Sequence, residues 1–207
     1  MTVKLIGTSH LASSDSIKEV INREKPDIIA VEMCKERYDI HMKGKIRKDK
    51  SILTKIANKM TKTASQTGNK YGNDMVTAMK IAEKRSIPLK LIDRHLDDTK
   101  RKLKKLPFRE KLLLWASYKM MNKKKMNEMK EKTSNLNKQK VDGMINKVKV
   151  QFPTLYEILI VERNAFLYEN IRLLKTKHPQ KKILVFLGAG HVSEINNMLK
   201  ENDQKRK

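Results

Sequence analysis

Two Gly-x-x-His tetrapeptides stand near opposite ends of the chain, Gly7-Thr8-Ser9-His10 and Gly188-Ala189-Gly190-His191. Each closes a short apolar run, Val3 to Ile6 in the first case and Ile183 to Leu187 in the second. Imidazole is a general acid–base group near neutral pH and the commonest metal ligand. Taken singly, each tetrapeptide reads better as a strand exit with an incidental histidine, the glycine permitting a tight turn. The repetition points to chemistry. If the two runs are parallel neighbouring strands, His10 and His191 meet in the crevice where open α/β sheets place their ligands.

Other chemically capable residues fall at similar places. Glu32 ends the run Ile28 to Val31, and Asp93-Arg94-His95 ends Ile87 to Ile92. A 3.6-residue wheel puts Glu162 on one face with Leu155, Ile158, Leu159, Ala165 and Phe166. A carboxylate on such a face needs a partner, a metal or a raised pKa. Its neighbour Arg163 reads as a structural ion-pair residue. Two imidazoles and two carboxylates, His10, His191, Glu32 and Glu162, make a nitrogen–oxygen donor set suited to Zn, Mn or Co. A metal there would generate a nucleophilic hydroxide and polarise a carbonyl. A carboxylate not used as ligand, Glu32 or Glu162, is the candidate general base, and Arg37 or Arg94 the candidate oxyanion stabiliser. Cys34 reads as a small core thiol, His41 and His178 as surface residues, and His95 as a supporting partner. Ser9 lacks a nucleophile-elbow context.

The elements that must position these residues follow from the pattern. Residues 2–7, 28–31, 87–92 and 182–187 read as strands, and Ser13, Ser14 or Asp15 caps a helix carrying Ile17, Val20 and Ile21. Strand, helix and strand then form a β-α-β unit whose strands are parallel. Helices are expected around 34–42, 51–66, 73–85 and from Pro153 to about 175, with a closing helix after His191. The expected fold is α/β: a central, mainly parallel sheet of about four strands flanked by helices, in one domain over 1–207. Residues 97–150 read as a basic helical insertion within it.

The chain has 207 residues and a net charge of +24. Residues 100–149 alone hold 17 Lys and Arg against 4 Asp and Glu. Such a field attracts nucleic acid, anionic lipid or acidic substrates without specifying one. The single cysteine excludes an intramolecular disulfide and suits a reducing cytosol. No signal segment or run of about 20 apolar residues is present, so the reading is a cytoplasmic protein.

Five blocks in order resemble a known family. Gly7-Thr8-Ser9-His10 with Ser14, and Pro26 to Arg37, look like the start of TraB/Tiki domains, also called the TraB/PrgY or pheromone-shutdown family. Tyr71 to Met75 with Ala78 and Ala82, Leu91 to Arg94 with Thr99, Glu162-Arg163-Asn164, and Leu187 to His191 follow in sequence. The archaeal branch is the nearest in pattern. The resemblance implies an α/β fold and, by likeness to metazoan Tiki members, a metal-dependent protease site. Its residues would be His10, Glu32, Glu162 and His191, with Arg37 matching the arginine after the first glutamate. Bacterial members are linked to peptide-pheromone shutdown. Asn164 and His95 stand where the family pattern leads one to expect aspartate.

Two functions follow as expectations. One is a metal-dependent hydrolase of a peptide or small amide or ester substrate, with a divalent Mn, Co or Zn ion. The other is a non-catalytic binding or regulatory domain whose basic 97–150 surface meets nucleic acid or an anionic membrane. A homodimer is compatible with either.

Overall fold

The computed structural model describes residues 2–8, 14–44, 73–120 and 138–204. Four strands, β1 (Thr2–Thr8), β2 (Ile28–Val31), β3 (Leu89–Leu91) and β4 (Lys182–Gly188), form one sheet in the order β1-β4-β2-β3. Every neighbouring pair is parallel. The expected β-α-β unit at the start of the chain is present and its strands are parallel, but β4 lies between them. Gly7 pairs with Leu187 and Thr8 with Gly188, so the two runs that carry the Gly-x-x-His motifs are adjacent.

The strands alternate their burden between two faces, as period-two side chains must. Ile29, Val31, Leu184 and Phe186 face α1 (Ser14–Glu24) and the helix Asn73–Lys84, which supply Ile17, Ile21, Met75 and Met79. Ile28, Ala30, Ile183, Val185 and Leu187 face the other way, against Leu167, Ile171, Ile195 and Leu199. Both sides of the sheet are thus covered, which is why β2 and β4 read as unbroken apolar runs. Between β2 and Asn73–Lys84 lies α2 (Lys35–Lys43). It ends at Gly44, whose φ of 64° is the left-handed conformation that helix ends favour. We number Asn73–Lys84 as α3. At its first turn Asp74 is fully buried and accepts the Met75 N–H.

The described parts of the basic stretch are helical apart from a short link at 105–107, as α4 (Leu96–Lys104), α5 (Phe108–Met120) and α6 (Lys138–Gln151). The helix expected over 51–66 lies outside the described residues. After α6 come a short α7 (Pro153–Tyr156), a π-helical turn (Glu157–Val161), α8 (Glu162–Lys177) and α9 (Ala189–Gln204). Leu106, Leu114, Leu155 and Ile158 form a small core of their own between α4, α5 and the start of this helical run. Glu110 on α5 fastens it. Its two carboxylate oxygens accept the N–H groups of Thr154 and Leu155 at 2.9 Å each, satisfying donors that a helix start leaves over. Burial raises the Glu110 carboxyl, but those bonds outweigh it and hold the group below its usual range. Glu110→Ala is therefore expected to lower stability by about 1–2 kcal/mol, the usual loss for a helix cap, read as a shift in urea midpoint.

The π turn explains one difference from the sequence reading. A turn closed by i→i+5 bonds holds an extra residue, so a regular wheel drawn across it goes out of phase. Upstream, Leu155 and Ile158 are buried in the small core. Downstream, the buried stripe is Asn164, Leu167 and Ile171, while Ala165 and Phe166 are exposed. Glu162 is consequently half-buried, with a side chain 34% exposed, and does not sit on an apolar face.

Candidate functional site

Glu32 follows β2 directly, and its N–H continues the ladder to the Phe186 carbonyl. Its side chain emerges on the sheet face covered by α8 and α9. There Glu32 Oε2 accepts the Gly188 N–H at 2.6 Å, at the junction where β4 turns into α9 without a loop. A carboxylate at a helix start meets unsatisfied N–H groups and the positive end of the helix dipole. His191, in the first turn of α9, places Nε2 at 3.5 Å from Glu32 Oε1. Both side chains are buried.

The histidine is oriented from behind. Asn164 Oδ1 lies 2.6 Å from His191 Nδ1. An amide oxygen only accepts, so Nδ1 carries the proton and Nε2 is the nitrogen presented to Glu32. Replacing Asn164 by leucine would leave a buried N–H without that acceptor. The expected loss is about 1–3 kcal/mol, measured by denaturant unfolding.

Arg163 joins two strand ends. Its Nη2 pairs with Glu32 Oε1 at 2.6 Å, and its Nε and Nη2 bind the two oxygens of Asp93 at 3.0 and 2.5 Å. Asp93 also lies 3.7 Å from Arg37 Nη1. Burial pushes the Glu32 carboxyl up, but the Arg163 and His191 charges and the Gly188 N–H outweigh it, and the group stays ionised below its usual range. Asp93 follows the same balance, raised by burial and lowered further by Arg163 and Arg37. Two carboxylates and two guanidinium groups thus make a charge-matched set at the carboxyl ends of β2 and β3.

Glu162 and Arg94 form a second set. Arg94 Nη1 donates to Glu162 Oε2 at 3.1 Å and Nε to Thr99 Oγ1 at 3.0 Å, while Nη2 donates to the Ile158 carbonyl in the π turn. Lys102 on α4 also pairs with Glu162. The hydrogen bond from Lys102, set against burial and aided by Arg94, holds Glu162 below its usual carboxylate range. The structure therefore brings Glu32 and His191 together with Arg37 nearby through Asp93, and it pairs Glu162 and Arg94 with each other on the helical side. His10 lies outside the described residues, two positions beyond Thr8, whose hydroxyl donates to the Leu187 carbonyl. Among the described residues no three His, Cys, Asp or Glu side chains cluster as a metal site. Cys34 is buried and its thiol is pushed up by that burial, as suits a core residue. His95 is exposed and pairs with Glu36 on α2 at 2.7 Å.

Two contributors escape a reading by composition and spacing. Arg163 reads there as an ion-pair residue of no fixed partner, and Asn164 as a departure from a pattern. The signal for both was their place in a helix that must pack on the sheet, where a polar side chain needs a partner. Gly7 has a different role from a turn former. A Cβ there would meet Val192 Cγ2 at 3.1 Å, so the bare backbone of β1 lets α9 approach closely.

No helix among the described residues is long and apolar enough to cross a membrane. The chain is 31% identical to an uncharacterized protein of Methanocaldococcus jannaschii over 218 aligned positions. The alignment covers 96% of this chain and 53% of that relative, so the chain spans about half the length of the curated relative it matches. The sequence also matches the TraB/PrgY/gumN family over residues 1–206. With the parallel sheet, the adjacent Gly-x-x-His strands and the Glu32–His191 pair described above, this match over almost the whole length makes the chain a member of the TraB/PrgY/gumN family.

Proposed function

We propose that the chain is a metal-dependent hydrolase of peptide or amide bonds, with a divalent ion held by His191 Nε2, Glu32 Oε1 and His10. One observation carries the reading, the 3.5 Å separation of Nε2 and Oε1. With Nδ1 engaged by Asn164, His191 turns Nε2 toward a carboxylate oxygen. A metal ion would take the place of the Nε2 proton between two such donors, and the 3.5 Å separation is longer than a hydrogen bond of about 2.9 Å. Two donors each about 2.1 Å from a tetrahedral ion stand roughly 3.4 Å apart. Asn164 behind the imidazole is the kind of support that metal-bound histidines have.

A bound divalent ion would polarise the scissile carbonyl and lower the pKa of a water. The rest falls to the chain. Asn164 holds the imidazole tautomer. Gly188 N–H and Arg163 fix the carboxylate and keep it ionised, so Glu32 acts as a ligand and not as a proton donor. Arg37, partly exposed and 3.7 Å from Asp93, is the group that would stabilise an anionic oxygen of the substrate. Glu162, engaged by Arg94 and Lys102, anchors the helical side of the site.

Metal-stripped protein reloaded with Zn, Mn or Co and measured by plasma mass spectrometry tests the reading, alongside cleavage of a fluorogenic peptide library. The expected result is about one ion per chain, lost in His10→Ala and in His191→Ala together with cleavage. Full loading of the double variant, or no loading of the wild-type chain, would overturn it.

A further inference from the structure

We propose that α5 is a docking helix for an anionic lipid surface. Glu110 and Leu114 turn one side of α5 inward, onto the small helical core. On the opposite side Phe108, Leu112, Trp115 and Lys119 follow one another at i, i+4, i+7 and i+11, the spacing of a single helix stripe. Phe108 is 80% exposed, Trp115 46% and Met120 63%, and Leu112 and Leu113 are exposed beside them. Three large apolar side chains on one outward stripe of a 13-residue helix, with Leu113 and Met120 exposed further round it, exceed the scattered single residues of an ordinary surface.

The charges around this stripe choose the occupant. Glu110 is the helix's only acidic residue and it is buried, so its exposed charges are Arg109, Lys111 and Lys119, with Lys104 and Lys105 exposed just before it. Lys119 Nζ sits 3.8 Å over the Trp115 ring, an aromatic and a cation sharing one position as they do at a bilayer interface. A second copy carries the same +24 charge and is repelled. A nucleic acid would use the cations and stack on Phe108 and Trp115, but would leave Leu112, Leu113 and Met120 against phosphates and water. An anionic bilayer takes the stripe and its cations together: phosphates meet the cations, and Phe108, Leu112 and Trp115 enter the boundary of headgroup and acyl chain. The helix lies along the surface, since 13 residues rise only about 20 Å, short of the roughly 30 Å hydrocarbon core.

Trp115 is the chain's only tryptophan, so its fluorescence reads this helix directly in the full-length protein. Titration with vesicles of phosphatidylglycerol and phosphatidylcholine is expected to shift its emission to the blue and to protect it from iodide. Pure phosphatidylcholine should leave it unchanged. Leu112→Glu, a substitution at an exposed position, is expected to weaken binding about tenfold or more, with an unchanged circular dichroism spectrum and unchanged metal content. The proposal is overturned if Trp115 is already shielded in the free protein, which would mean that another part of the chain or a second copy covers it. It is equally overturned if the protein sediments with vesicles while Trp115 stays exposed, or if single-stranded RNA protects Trp115 and anionic vesicles do not.

Discussion

Replacing Arg163 by alanine is expected to destabilise the fold by about 3–5 kcal/mol, because it leaves two buried carboxylates facing each other without their shared cation. Glu32 and Asp93 are 3% and 5% exposed in their side chains, and what remains to them is weaker: His191 at 3.5 Å and the Gly188 N–H for Glu32, Arg37 at 3.7 Å and the Arg94 N–H for Asp93. Arg163→Lys should recover only part of the loss, since one ammonium cannot reproduce a fork that spans two acids. The pH dependence separates this cause from a simple packing defect. In the wild-type chain both carboxyls lie below their usual range, so the native state binds fewer protons than the unfolded chain over the acid range. Their contribution is complete above the unfolded carboxyl pKa of about 4 and is lost as pH falls through the folded values. In Arg163→Ala, burial is opposed only by these weaker partners and is expected to raise both groups. Stability should then fall as pH rises through the new values, so the slope changes sign. Urea midpoints of both proteins between pH 3 and pH 7 measure this, and parallel profiles would sink the account.

Phe186→Ala carries a comparable cost, about 3–5 kcal/mol, by a different route. Phe186 is wholly buried in the central strand and packs with the α1 and α3 side chains. Removing the ring opens a cavity among Ile29, Val31 and Met79 that a sheet flanked by helices cannot collapse. Its carbonyl also fixes the Glu32 backbone, so the functional consequence is a looser strand end. Calorimetry should show a lowered Tm with a flat pH profile between pH 5 and pH 8, unlike the Arg163 variant.

Much of this was legible in the residues. Ile28 to Val31 and Ile183 to Leu187 are unbroken apolar runs, and such runs mark strands buried on both faces. Glu32 and His191 stand at strand ends and could be picked as a site from that alone. The placement of β4 between β1 and β2 was not in any local pattern, because strand order depends on contacts more than 150 residues apart. Glu162 was harder still. Its face depends on the π turn at Glu157–Val161, which no 3.6-residue wheel contains. The same turn brings three successive residues, Glu162, Arg163 and Asn164, to three separate duties: the basic helical side, the carboxylate pair and the histidine.

The order β1-β4-β2-β3 has a consequence for how the molecule is made. Among the described residues β1 has a single neighbour, and that neighbour begins at Lys182. At a synthesis rate of about 5–20 residues per second, roughly ten to forty seconds separate the two strands on the ribosome. For that interval Val3, Leu5 and Ile6 have no ladder to join, and the pairing that follows closes nearly the whole chain into one loop. Folding of the sheet is thus gated by β4, and a chain truncated before residue 182 would present an open edge to chaperones and to other nascent chains.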